Sequence, residues 1–131
     1  MDAREYFQKW AEPDYNSFAQ SPNDFRLLGN AILSMNVAVE YLALDQREYD
    51  PDVSGNQRRR DVRKIRDDLG LADLQVCADA CKHVRIGEGI TQSSTSIDPN
   101  DQNTWKIGER VIAEVAHKSF AILQKELQKL S

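Results

Sequence analysis

The stretch SPNDFRLLGNAILSMNVAVEYLALDQ, residues 21–46, constrains the fold of this chain more than any other. Its apolar residues recur at helical spacing along two separate stripes. The first stripe contains Leu28, Ile32, Met35, Val39 and Leu42, and the second contains Leu33, Val37, Tyr41 and Leu44. A helix that is apolar on two sides packs on more than one neighbour. We therefore predict a long central bundle helix from Pro22 to Gln46. Polar residues interrupt its apolar run, which argues against a membrane span.

The residues that precede the central helix predict a short first helix and a well-defined start for the central helix. REYFQKW places Tyr6, Phe7 and Trp10 on one side of a first helix, which Pro13 is expected to stop. Ser21 is then the expected N-cap of the central helix, because serine accepts a hydrogen bond from the first free backbone amides and Pro22 suits the first helical position.

Three further helices complete the predicted fold. After a loop with Asp-Pro and Ser-Gly pairs, QRRRDVRKIRDDLG predicts a charged helix that ends near Gly70. LADLQVCADACKHV predicts a helix with Leu74, Cys77, Ala78, Cys81 and Val84 on its buried face. The last helix is expected from Lys106 or Gly108 to Leu130. Between these two helices, 85–103 predicts a long irregular loop, with a short β-hairpin around Val84–Thr95 as an alternative.

We thus predict an all-α, four- to five-helix bundle in a single domain of residues 1–131, near the commonest domain size. The 40% hydrophobic and 29% charged residues are typical of a globular chain, and the net charge of −4 argues against nonspecific binding of nucleic acid or membrane by the whole surface. The first residues carry no secretory signal, so a cytoplasmic location is expected, and no cofactor motif is found.

The two cysteines are predicted to be reduced core thiols. Cys77 and Cys81 are four residues apart, which places their Cβ atoms about 5–6 Å apart on a helix, beyond the usual disulfide separation. Their spacing fits no zinc pattern, and His83 is the only further ligand nearby, so no metal is expected.

Asp79 and His83 form the candidate catalytic pair. They lie four residues apart and opposite the predicted buried face, so the carboxylate can orient the imidazole as in a general acid–base pair. The simpler interpretation is a surface pair at a helix end, where histidine interacts favourably with the helix dipole.

The segment RRRDVRKIR, 58–66, holds six basic residues and one acidic residue, whereas the other 122 residues carry 11 basic and 20 acidic ones. This segregation predicts a phosphate- or partner-binding surface. Its members are Arg58, Arg59, Arg60, Arg63, Lys64, Arg66, Lys82 and Arg85. The alternative is a solvated helix whose arginines pair with nearby aspartates. The segment holds no aromatic residue for base stacking, which weakens the case for RNA.

DLQVCADACKHVRI resembles a segment, with an Ala-x-x-Lys-His-type helix motif, of small uncharacterised bacterial helical proteins. The preceding long helix and the final amphipathic helix are also similar, and together they cover about two-thirds of the chain. This resemblance implies a helical fold and no particular activity.

A more distant similarity is to the HEPN superfamily of helical bundles, many of which are RNases. Their motif places an arginine four to six residues before a histidine, which His83 matches. Cys77 and Ala78 stand where the arginine is expected, and Asp79 stands where asparagine often follows. The resemblance therefore implies a non-catalytic relative rather than an RNase.

Three functional hypotheses follow. The first is a non-enzymatic binding or regulatory module that contacts another protein or a second copy of itself, with RNA as an alternative partner and no membrane. The second is an RNA-cleaving enzyme that uses His83. The third is a small-molecule binder with a pocket between Tyr6, Trp10, Phe18 and the central helix.

Overall fold

The computed structural model describes residues 1–45, 55–87 and 96–130, without the side chains of 85–87. Its helices form an all-α bundle, as predicted. They are α1 (Ala3–Tyr6), α2 (Glu12–Gln20), α3 (Phe25–Asp45), α4 (Gly55–Asp68), α5 (Ala72–Gly87) and α6 (Ile112–Gln128). A π-helix, Phe7–Ala11, joins α1 to α2, so the first three elements form one continuous helical segment. A 3₁₀-helix (Gln102–Thr104) and two strands, β1 (Lys106–Ile107) and β2 (Arg110–Val111), precede α6.

Pro13 does not end the first helix, contrary to the sequence-based prediction. Proline inside a regular α-helix removes one hydrogen bond and clashes with the carbonyl four residues earlier. Here the π-helix lies directly before it, and the amide of Glu12 donates to the carbonyl of Phe7, five residues back. The wider turn lets Pro13 occupy the first turn of α2, where its missing amide is not needed.

The central helix α3 begins three residues later than predicted, and its cap is Asp24 rather than Ser21. Oδ1 of Asp24 accepts from the backbone amide of Arg26 at 2.9 Å, whereas Ser21 caps the C-terminus of α2. α2 reaches as far as Gln20, so residues 21–24 form a turn that separates it from α3. The predicted helix end at Gln46 and most of the predicted 47–56 loop lie outside the described residues.

The first predicted stripe of α3, with Leu28, Ile32, Met35, Val39 and Leu42, is buried. The second stripe, with Leu33, Val37, Tyr41 and Leu44, is partly buried or exposed. The helix packs against α2, α4, α5 and α6. By length and composition alone, α3 is also apolar enough to cross a membrane. It packs against neighbours on several sides, as the core helix of a bundle does.

Gly70 ends α4 as predicted and turns the chain directly into α5. Its φ of +76° lies in the left-handed region, and Leu71 donates to the carbonyl of Arg66 at 2.8 Å. The amide of Gly70 donates to Asp67, which completes a Schellman motif. α5 then buries the predicted face of Leu74, Cys77, Ala78, Cys81 and Val84.

A loop precedes α6, as predicted, and a short β-hairpin at residues 106–111 stands where the last helix was expected to begin. β1 and β2 pair antiparallel, with Ile107 opposite Arg110, and Gly108 at φ +60° occupies the first turn position. The predicted hairpin around Val84–Thr95 is wrong at its start, since α5 continues to Gly87. Its remainder, 88–95, lies outside the described residues. The hairpin at 106–111 also delays the start of α6 to Ile112.

Stacked aromatic rings fill the contact between the N-terminal segment and the rest of the bundle. Tyr6 stacks on Tyr41 with ring centroids 4.7 Å apart, and Tyr15 stacks on Phe120 at 3.9 Å. Trp10, which the sequence placed on the same side, is 54% exposed, because Ala11 takes the inward position in the wider π turn. The aromatic cluster is therefore core rather than the lining of the predicted small-molecule pocket.

Two glycine substitutions should change the stability in opposite directions. Gly70→Ala is expected to lower the free energy of unfolding by about 1–2 kcal/mol, because an L side chain disfavours the left-handed conformation. Gly29→Ala, inside α3 with nothing within 4 Å of a new Cβ, should raise it by about 0.5–1 kcal/mol. Urea unfolding of both variants measures these changes, and a loss of stability in both would contradict this account.

Candidate functional site

The predicted basic residues fall into two groups in the structure. Arg58, Arg59, Arg63 and Arg66 line a groove of about 560 Å³. Arg60 and Lys64 are exposed elsewhere on α4, and Lys82 is exposed on α5; none of the three lines this groove. The Arg85 side chain lies outside the described part of the chain. The basic segment therefore does not form one uniform surface.

We call this feature the basic groove, and three helices build it. α4 and α5 each pack on α3 more than on each other, which leaves a channel between them. α3 contributes Glu40 and Leu44 to the lining, and α5 contributes Gln75 and Asp79. The remaining lining residue is Val62 of α4, beside the four arginines.

Arg66 is the only residue of α4 that is buried, with 8% of its surface exposed. A peripheral helix normally buries an apolar residue at such a position, because an arginine is rarely buried without a partner. α4 is thus attached to the bundle at this point through a cation.

A chain of hydrogen bonds leads from Arg66 to the surface. Nη2 of Arg66 donates to Oδ1 of Asn36 at 3.0 Å, and Asn36 donates to Gln75 over a longer 3.4 Å. Gln75 in turn donates to Oδ1 of Asp79 at 2.9 Å. The chain joins α4, α3 and α5, and it ends at a carboxylate on the rim of the basic groove.

The Arg66 guanidinium is poorly satisfied. It has five N–H donors, and within the described residues Asn36 is its one hydrogen-bond acceptor, while the buried Nε has no partner. Burial lowers the pKa of Arg66 from its ordinary value, and the charges of Glu40, Asp67 and Asp79 act in the opposite direction. Arg66 is therefore a cation that a further negative charge would stabilise.

The basic groove holds four arginines and two carboxylates, those of Glu40 and Asp79. Arginine guanidiniums bind carboxylates and phosphates in paired hydrogen bonds. The groove can therefore hold an anion, and the Glu40 and Asp79 carboxylates can accept hydrogen bonds from its other groups. None of the described residues in this lining is a serine, threonine, cysteine, lysine or histidine.

His83 lies away from the basic groove. It is exposed and lines a separate depression of about 370 Å³ together with Lys106 and Gly108 of the hairpin. Asp79, its predicted orienting residue, lines the basic groove and accepts from Gln75 instead. Asp79 thus shares a groove with the arginines of α4, whereas His83 lines a different depression.

A further depression, about 730 Å³, lies beside the turn between α2 and α3. Its charged lining residues are Asp24, which caps α3, and Arg26, and these carry opposite charges. It offers one cation where the basic groove offers four.

The two thiols are fully buried, as the sequence predicted, and they are not joined in a disulfide. Burial raises the pKa of Cys77 to about 11, with the charge of Asp73 acting in the same direction. Within the described residues, no group of three or more His, Cys, Asp or Glu side chains could hold a metal ion.

Sequence reasoning missed Asn36, Glu40 and Gln75 as parts of a site. The available signal was the position of Asn36, which lies between the apolar residues Met35 and Val37 of the central helix. A buried amide has to be hydrogen-bonded, so it predicts a polar partner on a neighbouring helix.

Comparison of this chain with protein families, with curated proteins and with solved structures gives no match. We therefore infer the function from the geometry of the site.

A double-mutant cycle should reveal the coupling between Asn36 and Arg66. Asn36→Ala is expected to lower the free energy of unfolding by about 2–3 kcal/mol, because it leaves a buried cation without its acceptor. In the background of Arg66→Met, which replaces the cation with an apolar side chain, the same change should cost at least about 1 kcal/mol less. Urea unfolding of the four proteins gives the coupling, and additive effects would show that the contact contributes little.

Cys77 should be nearly unreactive in the folded protein. A pKa of about 11 instead of 9.0 reduces the thiolate fraction at pH 8 by about a hundredfold, and burial restricts access further. Because the folded state holds this proton more tightly, stability should fall as the pH rises from 9 to 11. Thiol labelling in native buffer and in urea, followed by unfolding at several pH values, checks both; fast native labelling would contradict the assignment.

Proposed function

We propose that this protein is a non-enzymatic binding module and that the basic groove holds an anionic group of its partner. The observation that carries the proposal is the buried Arg66 guanidinium, whose Nε has no partner among the described residues, beside three further arginines. A structural arginine at a helix interface is expected to have its donors satisfied. Unsatisfied donors of an arginine inside a groove instead indicate a site that binds an anion.

Arg58, Arg59 and Arg63 suit a binding role for a different reason. Rim charges increase the rate of association with an oppositely charged partner, although each contributes little to the stability of the fold. The chain as a whole is acidic, so the local excess of positive charge directs an anionic partner to this face.

The alternative proposal, RNA cleavage with His83 and Asp79, receives less support from the geometry. A general acid–base pair acts on an RNA phosphate only when a cation stabilises the developing charge nearby. The arginines line a different groove from His83. Lys106 is the cation beside His83, so cleavage would have to depend on that residue instead.

The proposal predicts that phosphate stabilises the protein through Arg63. When a ligand reaches ten times its dissociation constant, it stabilises the folded state by about 1.4 kcal/mol. We expect Arg63→Glu to remove most of the rise in melting temperature that sodium phosphate produces relative to sodium chloride at the same ionic strength.

Lys64→Glu is the matched control. Residue 63 and residue 64 each lie four residues after an arginine and four before an aspartate, so the two variants change the local charges of the helix alike. Phosphate also stabilises proteins nonspecifically, so the difference between the variants is the informative quantity. Equal responses would contradict the proposal, and RNA cleavage that His83→Ala abolishes would replace it with the enzyme hypothesis.

A further inference from the structure

The basic groove has an apolar component that an inorganic anion would leave unused. Leu44 is 45% exposed at the end of α3, and Val62 of α4 lies in the same lining. Exposed leucines are ordinary on protein surfaces. A leucine and a valine inside a groove that also holds four arginines indicate a ligand with both a negative charge and an apolar group.

Arg66 and Leu44 lie at different ends of the groove. Asn36, which contacts Arg66, and Leu44 are eight residues apart on α3, which corresponds to about 12 Å along the helix axis. Arg66 and Arg58 are separated by the same number of residues on α4. A single carboxylate or phosphate group cannot reach both ends, whereas about four residues of an extended peptide or two turns of a helix can.

Nucleic acid suits this lining less well than a peptide. None of the nine described residues that line the groove is aromatic, so bases have nothing to stack on. Glu40 and Asp79 would also repel a continuous phosphate backbone. A peptide can place a carboxylate near Arg66 and direct its backbone amides or hydroxyl groups toward these two acids.

We propose that the occupant of the basic groove is an acidic segment of a partner protein that carries an apolar side chain. This inference rests on the proposed function and names the chemistry of its partner. One carboxylate of the segment binds near Arg66, others pair with Arg59 and Arg63, and the apolar side chain packs on Leu44 and Val62. Charge complementarity and the apolar end of the groove together select this ligand class.

The test uses the full chain and three labelled probes in fluorescence anisotropy. They are a peptide of about twelve residues that contains glutamate and leucine in a three-to-one ratio, a polyglutamate of the same length, and a single-stranded RNA of similar length. The mixed peptide should bind most tightly, and added salt should weaken its binding.

Variants of the protein test the charged and the apolar residues of the groove separately. Arg63→Glu should weaken the binding of the mixed peptide by at least about tenfold, and Leu44→Gln by about tenfold as well. Lys64→Glu should stay within about twofold of the unmodified protein. Urea unfolding of each variant confirms that it folds, since all three positions are exposed or partly exposed.

Every other outcome would contradict a specific part of the two proposals. If polyglutamate binds as tightly as the mixed peptide and Leu44→Gln has no effect, the apolar half of the inference is wrong and the proposed function stands. If RNA binds through Arg63 and the peptides do not, the partner class is wrong. If Arg63→Glu and Lys64→Glu behave alike, or no probe binds, both proposals fail. Sedimentation that shows a dimer dispersed by Leu44→Gln would identify a second copy as the occupant.

Discussion

The hydrogen bond from Arg66 to Asn36 is the contact on which the arrangement of α4 depends. No other residue of α4 is buried, and Ile65, on its inward side, is only partly buried against the core. The helix is therefore positioned by a charged group rather than by an apolar seam. If this contact were lost, an uncompensated charge would remain in the interface, which is a larger penalty than the loss of a surface ion pair.

This arrangement also explains why the groove exists. An apolar residue at position 66 would let α4 approach α3 and α5 more closely, because no polar partner would have to be accommodated. The guanidinium and the amides of Asn36 and Gln75 instead occupy the space between the helices. The basic groove and the attachment of α4 are thus two aspects of one polar interface.

The sequence predicted what depends on periodicity and missed what depends on the exact path of the backbone. The first apolar stripe of α3 and the buried face of α5 were predicted correctly, since burial repeats every three to four residues in both. Pro13, Ser21 and the 106–111 hairpin were mispredicted. Each depends on where a neighbouring helix ends, and single-sequence patterns locate helix ends poorly.

The candidate site was predictable only in part. Six basic residues within nine positions of a helix point in all directions, because successive residues are rotated by about 100°. Only the packing of α4 on α3 decides that Arg59 and Arg63 face the groove while Arg60 and Lys64 do not. The buried amide of Asn36 was visible in the sequence, but its partner was not.

The π-helix before Pro13 has a consequence for the length of the chain. A π turn contains one residue more than the α-helical turn that it replaces, so Phe7–Ala11 amounts to a one-residue insertion in a continuous helix. Removing one residue there would restore a regular helix and rotate Ala3 relative to Phe18. The exposed Trp10 lies within this wider turn, and Pro13 follows three residues later in the first turn of α2.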